Sequence, residues 1–215
     1  MKPDFAEMRE AMVESQLRSA AVDDPRVVRA MARVPREAFV PADKRALAYA
    51  EMLLPIGEGR RLNLPMATGK LLTELALTPA DKVLVIGAAT GYAAAVCAEL
   101  AGMVIALEEL PLANDAATAL VDYANVEPVI GPLNEGWAAA APYDAILIDG
   151  AIEQVPDAIA AQLAEGGRLV TALIDKGISR LAFGRKQGGA FGMIEFADAQ
   201  STILPGFERP KTFTF

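Results

Sequence analysis

The amino-acid sequence predicts an α/β fold: a doubly wound, mostly parallel sheet with a helical N-terminal lobe before it and an antiparallel hairpin after it. Three observations carry this expectation. Between residues 82 and 173, continuous apolar runs alternate with helix-patterned segments, the order that builds a parallel sheet. The first apolar run breaks at a glycine turn, Gly87 to Gly91, which leads straight into a helix pattern. Beyond residue 175 the pattern changes to two short segments around Gln187-Gly-Gly189, the signature of a hairpin. The division that follows is a lobe over 1–78 carrying a candidate substrate loop, and an α/β domain over 79–215.

The elements follow in order. Phe5, Met8, Met12, Val13 and Leu17 recur at helical spacing over residues 5–20. Asp24-Pro25 reads as a helix start, with Pro at the first helical position, and Val27, Val28, Met31 and Val34 continue that helix. Pro35 and Pro41 bracket an irregular stretch, and Leu53 to Gly59 reads as a loop. Pro65 to Leu77 is helical. Lys82 to Ile86 is an apolar run, as a strand buried on both faces requires. Tyr92 to Leu100 is helical, Val104 to Glu108 a strand, Leu112 to Tyr123 a helix, and Glu127 to Ile130 a third strand. Tyr143 to Asp149 is a fourth strand ending in an acid, Pro156 to Leu163 a helix, and Arg168 to Leu173 a fifth strand. Arg180 to Arg185 and Ala190 to Phe196 form the hairpin, and Lys211 to Phe215 reads as a last strand.

Composition narrows the chemistry. The chain of 215 residues is 53% hydrophobic, which excludes a disordered chain. Its formal net charge of −8 excludes the electrostatic footprint of a general nucleic-acid binder and gives no attraction to an anionic membrane surface. No apolar run reaches the length of a membrane span, and the charged start has no apolar signal core. A single cysteine, Cys97, sits in an apolar helix pattern and reads as a small core residue, so a reducing cytoplasm is the expected location. There is no histidine, which removes a Ser-His-Asp triad, a Cys-His pair and any His-ligated metal, and no metal site is expected.

The glycine turn and the acid after the next strand point to a nucleoside. Ligands of parallel sheets bind at the carboxyl ends of the strands, where the strand order reverses. Glycine there lets the backbone turn tightly and lets a ligand approach without a Cβ in the way. Glu108 lies about twenty residues on, at the spacing of an acid that accepts hydrogen bonds from ribose hydroxyls. The turn is not a dinucleotide fingerprint, because Ala89 and Tyr92 stand where two further glycines are needed, and no Gly-Lys-Ser/Thr follows. Taken by itself, a strand followed by Gly-x-x-x-Gly also fits a close-packed turn that binds nothing.

Several segments resemble the protein-L-isoaspartate O-methyltransferases. Arg26-Val-Val-Arg-Ala-Met-Ala-Arg-Val-Pro-Arg-Glu-Ala-Phe-Val-Pro41 is similar to their N-terminal signature, and Ala48 to Gly59 to their next block. Val83-Leu-Val-Ile-Gly-Ala-Ala-Thr-Gly-Tyr92 resembles their cofactor motif, which most class I methyltransferases share. Ala141 to Asp144 and Gln162 to Val170 match later blocks in order. The resemblance implies a Rossmann-like fold and methyl transfer from S-adenosyl-L-methionine to the α-carboxylate of isoaspartyl residues in damaged proteins, a repair reaction. It places Gly87, Ala88, Ala89 and Gly91 against the methionine part of the cofactor and Glu108 against the ribose.

The departures fall in the same places. The family's Gly-x-Gly-Gln-Thr-Ile-Ser-x-Pro loop reads Gly57-Glu-Gly-Arg-Arg-Leu-Asn-Leu-Pro65. Asn63 replaces the hydroxyl and can still donate from its amide, which makes it the candidate catalytic residue. Arg60 and Arg61 are candidates to pair with a substrate carboxylate, and equally they read as solvated loop residues. Val85, Ala89 and Pro132 stand where the family has an acid, a glycine and an aspartate; Asn134 or Glu135 are candidate replacements for the last, and Asp149 is a further candidate for a polar contact that also reads as a solvated strand-end acid. Three readings follow: an active isoaspartyl methyltransferase acting on a protein or peptide, a homologue that kept the fold as a cofactor-binding or regulatory protein, or a methyltransferase with another carboxylate acceptor. Nothing in the sequence sets an oligomeric state.

Overall fold

The computed structural model describes residues 3–209. Helix α1 spans Phe5–Met12, capped by the Asp4 side chain, and the chain continues through a wider π-helical turn and a tighter 3-10 turn until Ala21 takes a left-handed conformation, φ 60°. Helix α2, Pro25–Arg33, starts where Asp24-Pro25 requires, with the Asp24 carboxylate accepting from the Arg26 amide.

Residues 53–59 are not a plain loop. Strands β1 (Leu54–Gly57) and β2 (Arg60–Leu62) pair as a small antiparallel hairpin. Gly57, Glu58 and Gly59 all take positive φ and reverse the chain, while alternation turns Leu54, Ile56, Arg60 and Leu62 inward. The strand signal was hidden because each strand is too short to show a period. Helix α3, Pro65–Leu75, follows.

The main sheet has seven strands: β3 (Lys82–Ile86), β4 (Met103–Glu108), β5 (Val126–Ile130), β6 (Tyr143–Ile152), β7 (Leu163–Asp175), β8 (Ile178–Gln187) and β9 (Ala190–Asp198). Their spatial order is β5-β4-β3-β6-β7-β8-β9. The first five are parallel to their neighbours, and β8 and β9 add the antiparallel hairpin. The chain runs outward from β3 to β5 and then crosses back to β6, so the order reverses beside β3. Helices α4 (Tyr92–Ala98), α5 (Leu112–Ala119) and α6 (Asp157–Ala161) connect the strands.

Alternation along the strands sorts the core. Val83, Val85, Val104, Ala106, Ala145 and Leu147 face the N-terminal helices and α4, while Leu84, Ile86, Ile105, Leu107, Ile146 and Ile148 face the other layer. Small side chains on the first face let α4, itself rich in alanine, pack close. Cys97 is buried in that layer.

Some bounds differ from those expected. Helix α5 stops at Ala119, short of Tyr123, and β7 begins at Leu163, which pairs with Tyr143 before the Gly166 kink. Strand β6 does not end at Asp149: Ala151 and Ile152 pair with Ala172 and Leu173, so the acid lies inside the strand. The strand expected over 211–215 lies outside the described residues. Among the described residues no helix is long and apolar enough to cross a membrane.

Candidate active site

The site lies where the strand order reverses, at the carboxyl ends of β3, β4 and β6. The backbone leaves β3 through Gly87, φ 75°, and the amides of Gly87 and Ala88 both donate to the Leu107 carbonyl of β4, at 3.0 and 3.1 Å. The turn closes with the Gly91 amide on the Ala88 carbonyl at 2.7 Å. Ala89 sits at φ 54°, a left-handed conformation that a glycine would adopt without strain.

Glu108, the last residue of β4, is 1% exposed. Its two oxygens accept four hydrogen bonds. Oε1 accepts from Arg60 Nη1 at 2.7 Å and the Glu109 amide at 2.9 Å; Oε2 accepts from Arg60 Nη2 at 3.0 Å and the Ala89 amide at 2.6 Å. The acid is therefore joined to the glycine turn, and the hairpin supplies its counter-charge. Arg60 is 8% exposed, and its Nε has no partner among the described residues.

Asn63 forms a second junction. Its Nδ2 donates to Asp149 Oδ1 at 2.7 Å, and its Oδ1 accepts from Ser201 Oγ at 2.7 Å and the Thr202 amide at 2.8 Å. Its carbonyl accepts from Arg36 Nη2 at 2.6 Å. The buried Arg36 also donates Nε to the Ala48 carbonyl at 2.7 Å and lies 4.5 Å above the Tyr92 ring, a cation–π contact. The carboxyl of Asp149 is pushed above its ordinary range, first by burial and further by the Glu108 charge, against the Asn63 hydrogen bond and the Arg36 and Arg60 charges that pull it down.

The segment after β9 covers this junction. The Ala151 amide donates to the Thr202 carbonyl at 2.6 Å and the Leu204 amide to the Ala151 carbonyl at 3.0 Å, so residues 201–204 run as a strap beside the end of β6. Leu204 is 2% exposed, and a Cβ placed on Gly87 would meet its side chain at 3.0 Å and Arg60 Nη2 at 3.4 Å. The space above the turn is thus taken by Leu204 and Arg60.

The structure brings Gly87, Ala88, Ala89, Gly91 and Glu108 together with Arg60, and Asn63 with Asp149. It does not bring in Arg61, which alternation turns outward to an open groove of about 350 Å³ shared with Leu53, Gly59, Ser201, Thr202 and Ile203. Asn134 and Glu135 are exposed after β5. Sequence reasoning missed Arg36 and the strap. Arg36 carried a signal, as the arginine between Pro35 and Glu37 in the N-terminal block; Leu204 carried none. Among the described residues no group of acids or thiols is arranged to hold a metal.

The family model for protein-L-isoaspartate(D-aspartate) O-methyltransferase matches residues 7–199. A protein-L-isoaspartate O-methyltransferase of Synechococcus sp. (strain JA-2-3B'a(2-13)) is 47% identical over 169 residues, covering 77% of this chain and 69% of that protein. A solved protein-L-isoaspartate O-methyltransferase superposes with TM-score 0.81 at 22% identity, over 92% of this chain and 66% of that one. A Plasmodium falciparum beta-aspartate methyltransferase (PCMT), solved in complex with S-adenosyl-L-homocysteine, superposes with TM-score 0.78 at 18% identity, over 94% and 98%. At those identities the two structures speak for the fold.

Proposed function

The chain belongs to the protein-L-isoaspartate(D-aspartate) O-methyltransferase family, and from that membership we propose that it transfers a methyl group to the carboxylate of isoaspartyl residues in damaged proteins, with S-adenosyl-L-methionine as donor. One observation carries the reading: within the matched residues, the glycine turn and the strand-end acid lie together at the reversal of the sheet, with the Ala89 amide 2.6 Å from the Glu108 carboxylate. The acceptor suits a chain without histidine, because a carboxylate is ionised near neutral pH and needs no base to become a nucleophile. A reducing cytoplasm is the proposed location, since the lone cysteine is buried and has no disulfide to form.

In the arrangement described, a nucleoside does not fit. All four acceptor positions of Glu108 are used, and Leu204 and Arg60 lie over Gly87. The roles assigned here therefore belong to an opened crevice: Glu108 for the ribose, Gly87, Ala88, Ala89 and Gly91 for the wall, Arg60 for the acceptor carboxylate, and Asn63 for its alignment. Arg61, on the outer groove, is suited to the peptide flanking the acceptor.

The Arg60–Glu108 pair favours a second reading, a family member that kept the fold as a binding or regulatory protein. Incubation with methyl-labelled S-adenosyl-L-methionine and an isoaspartyl peptide decides between them. Base-labile label on the peptide supports methyl transfer, and its absence at saturating donor overturns it. Calorimetric binding of donor without turnover selects the second reading, and label on a small carboxylic acid but not on the peptide reassigns the acceptor.

A further inference from the structure

Arg60 holds two positions that the proposed reaction cannot use at once. Its Nη1 and Nη2 fork takes both oxygens of Glu108, the acid that would receive the ribose hydroxyls. Its Nε, the donor on the adjoining edge of the same planar group, is buried and has no acceptor among the described residues. The Nε edge shares Nη2 with the fork on Glu108, so a carboxylate that takes Nε and Nη2 together competes with Glu108 for the group. Leaving a buried donor unpaired costs free energy, so this edge favours an arriving acceptor. The side chain stands on a hairpin outside the main sheet, and Arg36 anchors the chain just beyond it through the Asn63 carbonyl. Displacing Arg60 therefore needs a side-chain movement, with the hairpin held in place.

We propose that Arg60 is a carboxylate-released latch on the crevice: it holds Glu108 until the substrate's free carboxylate takes its Nε edge and draws the guanidinium away, which opens Glu108 to the donor's ribose. This rests on the methyl-transfer reading of the site. A carboxylate is the class that can act this way, because it matches the fork geometry of the group it displaces and replaces the charge that Arg60 gives up. Donor and acceptor then bind cooperatively, and by linkage each strengthens the other by the same factor. Leu204, beside Arg60 over Gly87, moves with the same opening.

The test is calorimetry with S-adenosyl-L-homocysteine, which cannot react. It is run on the wild type, Arg60→Gln and Arg60→Lys, each alone, with an isoaspartyl peptide, and with the same peptide carrying an amide in place of the free α-carboxylate. The free-carboxylate peptide is expected to tighten binding to the wild type by about tenfold or more, and the amide peptide to leave it unchanged. Arg60→Gln is expected to bind about tenfold more tightly than the wild type without peptide and to gain little from it. Arg60→Lys, which keeps the charge without the fork, falls between, and carries the test if the Gln variant does not fold. Equal affinity in all three proteins overturns the latch and leaves donor binding intact. Equal strengthening by peptide in Arg60→Gln and the wild type overturns it too. No binding to any of the folded proteins at millimolar ligand overturns both the latch and the methyl-transfer reading.

Discussion

Replacing Arg60 by Gln removes the counter-charge from a carboxylate that is 1% exposed. At the observed 2.7 and 3.0 Å, gross attraction at an effective dielectric of about 20 is about 5 kcal/mol, most of it offset by the desolvation of both ions. Breaking such a pair from one side typically costs about 3–5 kcal/mol, because the other charge stays buried. Here the Ala89 and Glu109 amides remain on Glu108, so the lower end applies, about 3 kcal/mol. For a chain of this length that lowers the melting temperature by about 6–12 °C. Glu108→Gln is expected to cost a similar amount, and the double variant clearly less than the sum, with a coupling of about 1–3 kcal/mol. Urea denaturation at neutral pH measures all four proteins, and repetition in high salt should leave the coupling nearly unchanged, since buried pairs are weakly screened. Additive single effects, or a loss below about 0.5 kcal/mol for Arg60→Gln, would refute the reasoning, because they are the behaviour of a surface pair.

Three further outcomes follow from the same geometry. Burial holds Asp149 above its ordinary 3.8, so its contribution is present below that value and is lost as pH rises through its folded pKa. Asp149→Asn, whose side-chain carbonyl still accepts from Asn63, should flatten that loss in urea titrations across mildly acid pH; a profile parallel to the wild type would contradict it. A Cβ on Gly150 would clash with Leu204 Cγ and meet the Thr202 carbonyl at 2.8 Å, so Gly150→Ala should cost about 1–3 kcal/mol. It should also speed amide exchange over residues 201–204, and unchanged exchange there would show that the strap is held elsewhere. Burial raises the Cys97 thiol, so it should resist a thiol reagent in the native state and react only as fast as the chain unfolds; rapid labelling without unfolding would place it at the surface.

The part of the site that the sequence declares is local. Lys82 to Ile86, the glycine turn and the helix after it are adjacent in the chain, and each has a pattern that short-range sterics and burial impose. Glu108 lies one crossover away, and the parallel pairing of β3 with β4 brings the end of that next strand beside the turn. The hairpin at 54–62 was less legible. Arg60 shares a face with Leu62 and Ile56, so a period of two would have turned it inward and Arg61 outward, but seven strand residues do not establish a period.

What the sequence by itself determined is the α/β class, the turn with its acid, the buried thiol and a chemistry that works without histidine. What only the tertiary structure decided is who partners whom. Arg60 meets Glu108 across 48 residues, Asn63 meets Asp149 across 86, and the strap reaches Asn63 across 138. No local pattern encodes those pairings, because a charged or amide side chain suits a solvated loop as well as a buried junction. Packing chose the junction: the hairpin's apolar face drives Leu54, Ile56 and Leu62 into the core, and Arg60, on the same face, is carried in with them to pair with Glu108.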